Sequence, residues 1–299
     1  MDQTTVSLVL GAGGARGYAH IGVINCLEER GFAIRSIAGA SMGALVGGIY
    51  AAGKLETYTH WVKALQRRDV LQLLDLSFEG GGLFKGERIM QTLGALIGTY
   101  DIEDLPISFT AVATDLEAER EVWFSQGPLF DALRASIAIP TLFTPVQRNG
   151  RRLVDGGVIN PLPIAPTLRD VTDLTLVVNL SGREEPGLAP PPAKNAPAGK
   201  NSYGQKIRAF IEELLVKNNI TRGPSQAGVF DIVSQSLDTM QNSIARLKLA
   251  SYSPDVVVEI PKNACRFYEF ERAGDMIALG HQRAAAALEG WRARPRRHY

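Results

Sequence analysis

Runs of apolar residues alternate with glycine-marked breaks along the first half of the chain. Val6-Ser7-Leu8-Val9-Leu10 is a short continuous apolar run and predicts a buried strand. Gly11 to Gly17, GAGGARG, is a glycine loop. Tyr18 to Arg30 carries Ile21, Ile24 and Leu27 at helical spacing and stops at Gly31. Ile34 to Ala38 predicts a second strand, followed by a small-residue helix from Ala44 to Ala52. Further helices are expected over Leu55 to Leu74, Glu87 to Ile97 and Leu129 to Ile137, the last ended by Pro140. Strands are expected over Ile107 to Thr114, Glu121 to Phe124 and Leu174 to Leu180. Asn149-Gly150 predicts a hairpin turn between Pro145–Arg148 and Arg151–Val154.

Beyond Leu180 the pattern changes. Ser181 to Ser202 holds Pro186, Pro190, Pro191, Pro192 and Pro197 and reads as a flexible connector. Tyr203 to Val216 reads as a helix. Val229 to Leu249 is amphipathic, with Val229, Ile232, Val233, Leu237, Met240, Ile244 and Leu247 on one stripe; a core-facing helix is expected, with a lipid-facing lid as the alternative. A strand at Asp255 to Ile260 and a helix at Met276 to Trp291 close the chain. The expected organisation is a catalytic core over 1–180, a connector over 181–202 and a mostly helical part over 203–299 that packs on or covers the core. Strands separated by helices predict parallel pairing and an α/β fold.

Composition narrows the class. The 299 residues are 45% hydrophobic and 21% charged, which fits a globular protein with ample core. A formal net charge of +1 argues against a dedicated nucleic-acid binder. Charge gathers at the end, where Arg283, Arg292, Arg294, Arg296 and Arg297 face only Glu289. A solvated tail is the plain reading, and a foothold on an anionic membrane is the other. Cys26 and Cys265 share no metal-like spacing, and MDQTT does not resemble a signal peptide. A cytoplasmic protein is expected, with peripheral membrane contact left open.

Two stretches carry chemistry. The first is Gly39-Ala40-Ser41-Met42-Gly43, a G-x-S-x-G between a predicted strand and a predicted helix. That is the setting of a nucleophile elbow, and Ser41 is the candidate nucleophile. A membrane span is the competing reading of the uncharged run Ser36 to Gly53, but its five glycines and two serines make it weakly apolar. The second is the glycine loop, whose backbone N–H groups at a helix start suit an anion. A dinucleotide would demand an acid at the end of the second strand, where Gly39-Ala40-Ser41 stands instead. A transient oxyanion fits better, with Gly13, Gly14 and Ala15 as donors. GGGLFKGE lacks the order of a phosphate loop.

A serine nucleophile needs a base. None of His20, His60, His281 and His298 lies on a loop after a late strand. Asp155, at a strand end before Gly156 and Gly157, is the remaining candidate. Burial would strengthen it as a base, although Asp-Gly-Gly is also a common turn.

Gly-Gly-x-Arg-Gly at Gly13 to Gly17, G-x-S-x-G at Gly39 to Gly43 and Asp-Gly-Gly at Asp155 to Gly157 stand in the order of the patatin-like phospholipases. The sequence resembles the bacterial branch related to neuropathy target esterase. RGYAHIGVI, RASIAIPTLFTPV and VDGGVINPLP agree with it, and the resemblance is strong over Val6 to Leu180. It implies a three-layer α/β/α fold with a mostly parallel sheet. It implies a Ser41–Asp155 dyad, an oxyanion hole at Gly13, Gly14 and their neighbours, and Arg16 holding that loop, with Gly17, Gly39, Gly43, Gly156 and Gly157 as supporting positions. The implied reaction is hydrolysis of phospholipid or lysophospholipid esters without metal or cofactor. Acyl transfer by the same dyad and a low-turnover lipid-binding role are the alternatives. One departure is Ala12, where the family commonly has glycine. Leu83, Phe84, Leu142 and Phe143 could line an acyl site or simply pack in the core. The sequence does not set the oligomeric state, headgroup or chain length.

Overall fold

The computed structural model describes residues 3–77, 82–188 and 226–292. Its centre is a sheet in the order β10-β9-β1-β2-β4-β8-β7. The strands are β1 (Thr5–Leu10), β2 (Ala33–Ala40), β4 (Ser108–Asp115), β7 (Val146–Arg148), β8 (Arg151–Asp155), β9 (Leu174–Gly182) and β10 (Val256–Pro261). Pairing is parallel from β10 through β4 and antiparallel from β4 through β8 to β7. β5 (Arg120–Phe124) also pairs with β4, antiparallel. The mostly parallel sheet is therefore as expected.

The β1 side chains show why the fold has three layers. Val6, Leu8 and Leu10 join one apolar cluster with helix residues Ile21, Ile24, Val46, Ile49 and Leu133. Val9, one position out of phase, joins a second cluster with Leu162, Ile164, Val177 and Ala245. A strand buried on both faces reads as a continuous apolar run because each face has its own cover.

On the first face lie α1 (Ala19–Glu29), α2 (Met42–Ala51) and the closing helix α8 (Ala273–Arg292). α1 and α8 cross at two glycines. A Cβ on Gly22 would collide with the Ile277 carbonyl, and one on Gly280 with the Ala19 carbonyl. The second face is covered by α7 (Gln226–Tyr252) through Ala245, Leu249 and Tyr252. The stripe expected to face the core does not do so throughout. Leu237 and Ile244 are half-buried, while Met240 and Leu247 are exposed. The helix docks by the neighbouring face, where the small Ala245 allows close approach. Val229, Ile232 and Val233 lie outside the residues whose side chains are described.

Other differences are local. The helix expected over Leu55 to Leu74 is two, α3 (Leu55–Ala64) and α4 (Arg67–Gln72), because Leu65 is extended. α5 (Glu87–Ile97) and α6 (Leu129–Ser136) fall as predicted. β3 (Gly82–Phe84) and β6 (Thr141–Phe143) form a small separate sheet whose short strands give little pattern to read. Phe84 and Phe143 are buried there with ring centroids 6.4 Å apart. Leu83 and Leu142 are half-buried. The hairpin turn holds both Asn149 and Gly150 at positive φ, 51° and 76°. β9 continues through Ser181 and Gly182, and β10 pairs with it, so the last strand extends the same sheet as the first. Tyr203 to Val216 lies outside the described residues.

Candidate active site

Adjacent parallel strands bring the two sequence motifs to one sheet edge. β1 pairs with β2 at Leu10↔Gly39, so the glycine loop and Ser41 leave the sheet side by side. Ala40 pairs with Val112 of β4, and Ala113 of β4 pairs with Asp155 of β8. The register thus carries Asp155, more than a hundred residues away in sequence, to within two strands of Ser41.

Ser41 sits between the end of β2 and the first residue of α2. Its φ of 56° and ψ of −127° are rare for a residue with a side chain, and such a strained turn is the signature of an elbow. The flanking glycines are needed for contact. A Cβ on Gly43 would strike the Leu10 carbonyl, and one on Gly39 would lie about 2.5 Å from the Ala44 nitrogen and the Gly43 carbonyl. The helix start behind Ser41 adds the positive end of a backbone dipole.

Asp155 is 3% exposed. Its Oδ1 accepts the Gly157 N–H at 2.7 Å, and its Oδ2 has no hydrogen-bond partner among the described residues. Burial raises its pKa from 3.8 to about 7, opposed by the Ser41 hydroxyl and the Gly157 N–H. The Ser41 hydroxyl is thus a neighbour that favours the charged form of the carboxyl, although no regular Ser41–Asp155 hydrogen bond forms among the described residues. Catalytic hydrogen bonds are often long in a free enzyme and tighten only in the complex with substrate. Gly156 follows with the Val112 carbonyl packed where its Cβ would be, and Gly157 faces the Ala12 methyl.

The glycine loop is pinned from three sides. Arg16, 8% exposed, donates from Nε to the Gly13 carbonyl at 3.3 Å and from Nη1 to the Lys262 carbonyl at 2.8 Å. Burial pulls its pKa down, opposed by the charge of Asp238 on α7. His20 is fully buried and its Nε2 bonds the Gly11 carbonyl at 2.9 Å. Burial lowers its pKa to about 4, so at neutral pH it is an uncharged donor to the loop. Gly17 packs against the Met42 side chain.

The N–H groups divide into engaged and available. Ala12 donates to the Pro161 carbonyl at 3.0 Å, and Ala15 to the Phe267 carbonyl at 2.8 Å. Ala15 is thus committed to the loop after β10 rather than open to an oxyanion, a pairing between distant segments that spacing does not reveal. Gly13 and Gly14 have no hydrogen-bond acceptor for their N–H groups among the described residues. Of the other histidines, His281 pairs with Glu29 at 2.7 Å and His60 with Glu56 at 3.8 Å; His298 lies outside the described residues.

Ser136 is the residue that motif reading passed over. It is fully buried, accepts the Ser41 N–H at 2.9 Å and donates to the Val112 carbonyl at 2.7 Å. The signal was within RASIAIPTLFTPV, whose role no spacing argument assigns.

This arrangement can be set beside known proteins. The family model for patatin-like phospholipase matches residues 8–168, more than half of the chain and all three motifs. The chain belongs to this family. Among patatin-like relatives, an uncharacterized NTE family protein of Mycobacterium tuberculosis is 39% identical over 96% of this chain and 92% of its own length. A neuropathy target esterase of Drosophila persimilis is 34% identical over 54% of this chain, which corresponds to 12% of that much longer protein. The crystal structure of VipD from Legionella pneumophila superposes with a TM-score of 0.57 at 14% identity, covering 97% of this chain and 67% of that one. That likeness shows the shared patatin fold. Family membership brings lipid acyl hydrolase activity with it, on lipid substrates. Among the described residues no helix is long and apolar enough to cross a membrane.

Proposed function

We propose that this protein is a serine esterase that hydrolyses acyl esters of phospholipids or lysophospholipids with a Ser41–Asp155 dyad. The observation that carries the reading is the buried Asp155 carboxyl. Its pKa of about 7 suits a base working near neutrality, and its unpaired Oδ2 belongs to a carboxylate on which the Ser41 hydroxyl already bears.

In the proposed reaction Ser41 Oγ attacks the acyl carbonyl carbon while its proton passes to Asp155 Oδ2. The carbonyl π electrons move to oxygen, and the Gly13 and Gly14 N–H groups receive that oxyanion. One such donor is typically worth about 3 kcal/mol of barrier. Collapse breaks the ester C–O bond, and the leaving alcohol takes the proton from Asp155. Water then attacks the acyl-enzyme, giving its proton to Asp155, and the second collapse returns that proton to Ser41 Oγ and releases the fatty acid. Arg16 and His20 keep the donor loop in shape and take no proton. The protein would work on its lipid from the aqueous side, as a cytoplasmic or membrane-peripheral enzyme.

The test is turnover of a short p-nitrophenyl ester and of a lysophospholipid panel by wild type, Ser41→Ala and Asp155→Asn. Both variants are expected to fold and to lose nearly all activity. Retained turnover in Ser41→Ala would sink the reading. Product analysis with added lysolipid separates hydrolysis from acyl transfer to a second alcohol.

A further inference from the structure

The turn that ends α6 holds both members of the dyad by their backbones. Ser136 Oγ accepts the Ser41 N–H at 2.9 Å while its own O–H donates to the Val112 carbonyl at 2.7 Å. With the proton committed to Val112, a lone pair is left facing Ser41. Two residues on, the Ala138 carbonyl accepts the Asp155 N–H at 3.0 Å. The loop closes through β4. The Val112 carbonyl packs against Gly156, and Thr114 Oγ1 donates to the Asp155 carbonyl at 3.0 Å. Ser136 and Ala138 therefore form a three-residue spacer with Ser41 on one end and Asp155 on the other.

Chemistry gives that spacer a task. Ser41 is held at φ 56°, a conformation that persists only where surroundings enforce it. Its N–H is buried, so without Ser136 it would be both unpaired and free to relax. A small rotation of this backbone swings Oγ relative to the carboxylate, and a misplacement of about 1 Å can lower the rate about 100-fold.

We propose that Ser136 is a positioning residue for the nucleophile: by bonding Ser41 N–H and Val112 O together, it sets the distance between the Ser41 hydroxyl and the Asp155 carboxylate. It touches neither substrate nor reacting atoms. The inference rests on the dyad proposed above.

The experiment measures kcat, KM and the pH dependence of kcat/KM for Ser136→Ala and Ser136→Thr, per folded molecule counted by circular dichroism. Ser136→Ala is expected to lose kcat by about 100-fold with KM nearly unchanged, because only the reacting geometry is disturbed. Its pH midpoint should move upward, because the Ser41 hydroxyl no longer favours the ionised carboxylate. Ser136→Thr, which keeps the hydroxyl, should restore kcat to within a few-fold and return the midpoint. Ser136→Cys carries the same two readouts should either variant fail to fold, with a partial loss expected from its weaker hydrogen bonds. Wild-type kcat and an unchanged midpoint in folded Ser136→Ala or Ser136→Cys would overturn the proposal, as would a loss that only tracks the amount of unfolded protein. Failure of the underlying dyad looks different. In that case Asp155→Asn keeps its turnover, whatever the Ser136 variants do.

Discussion

Replacing Asp155 by asparagine should abolish turnover and at the same time make the protein more stable at alkaline pH. The folded carboxyl titrates near 7 and the ordinary value is 3.8, because burial penalises its charge. Between those two values the native protein holds a proton that the unfolded chain has lost. Stability therefore falls as pH rises through this window, and the fall is complete above the folded value. At 1.36 kcal/mol per pH unit, the interval from 3.8 to about 7 amounts to about 4 kcal/mol, of which about 3 kcal/mol develops between pH 5 and pH 8. Asparagine has the same shape, accepts the Gly157 N–H through Oδ1 and never ionises. The assay is urea denaturation of wild type and Asp155→Asn at pH 5 and pH 8, read as the change in their difference. Wild type alone is a poor witness, because His20 titrates with the opposite sign over nearly the same range. An advantage of Asp155→Asn that does not grow between pH 5 and pH 8 would refute the reasoning.

Three other outcomes follow from the same geometry. The kcat/KM profile of wild type should rise with pH through a single midpoint near 7 and level off, since only the ionised carboxylate accepts the Ser41 proton; a bell or a flat profile between pH 5 and 9 contradicts this. His20 titrates near 4 when folded against an ordinary 6.5, so stability from this group is full above 6.5 and is lost as pH falls toward 4. His20→Gln should remove about 3 kcal/mol of that dependence in denaturation curves taken from pH 8 to pH 4. Ala12→Gly should leave turnover within a few-fold of wild type, because the Ala12 N–H is already engaged by Pro161. A large gain in kcat would mean the methyl obstructs the site.

The first fifty residues were legible because each signal there is local. The Val6–Leu10 run, the glycine loop, the Tyr18–Arg30 periodicity and G-x-S-x-G all declare themselves within a few residues. The Asn149-Gly150 turn is legible for the same reason, since few pairs tolerate two positive φ angles. Ser41 and Asp155 could be named from motif context, but their meeting depends on the β2–β4–β8 register, which no single segment encodes. The Ser136–Ser41 bond and the engagement of Ala15 by Phe267 were not legible, because each joins distant segments. α7 misled for another reason. Its apolar stripe is real, yet the sheet takes the adjacent face with Ala245, where a small side chain lets the helix come close. The break at Leu65 left no glycine or proline to mark it.

The claim that Ser41 and Asp155 act as a pair meets its most direct test in labelling by a fluorophosphonate probe, followed by peptide mass spectrometry. The account predicts one adduct on wild type, at Ser41, formed at least about 100-fold more slowly in Asp155→Asn. An adduct at another residue, or labelling of Asp155→Asn at the wild-type rate, would contradict it.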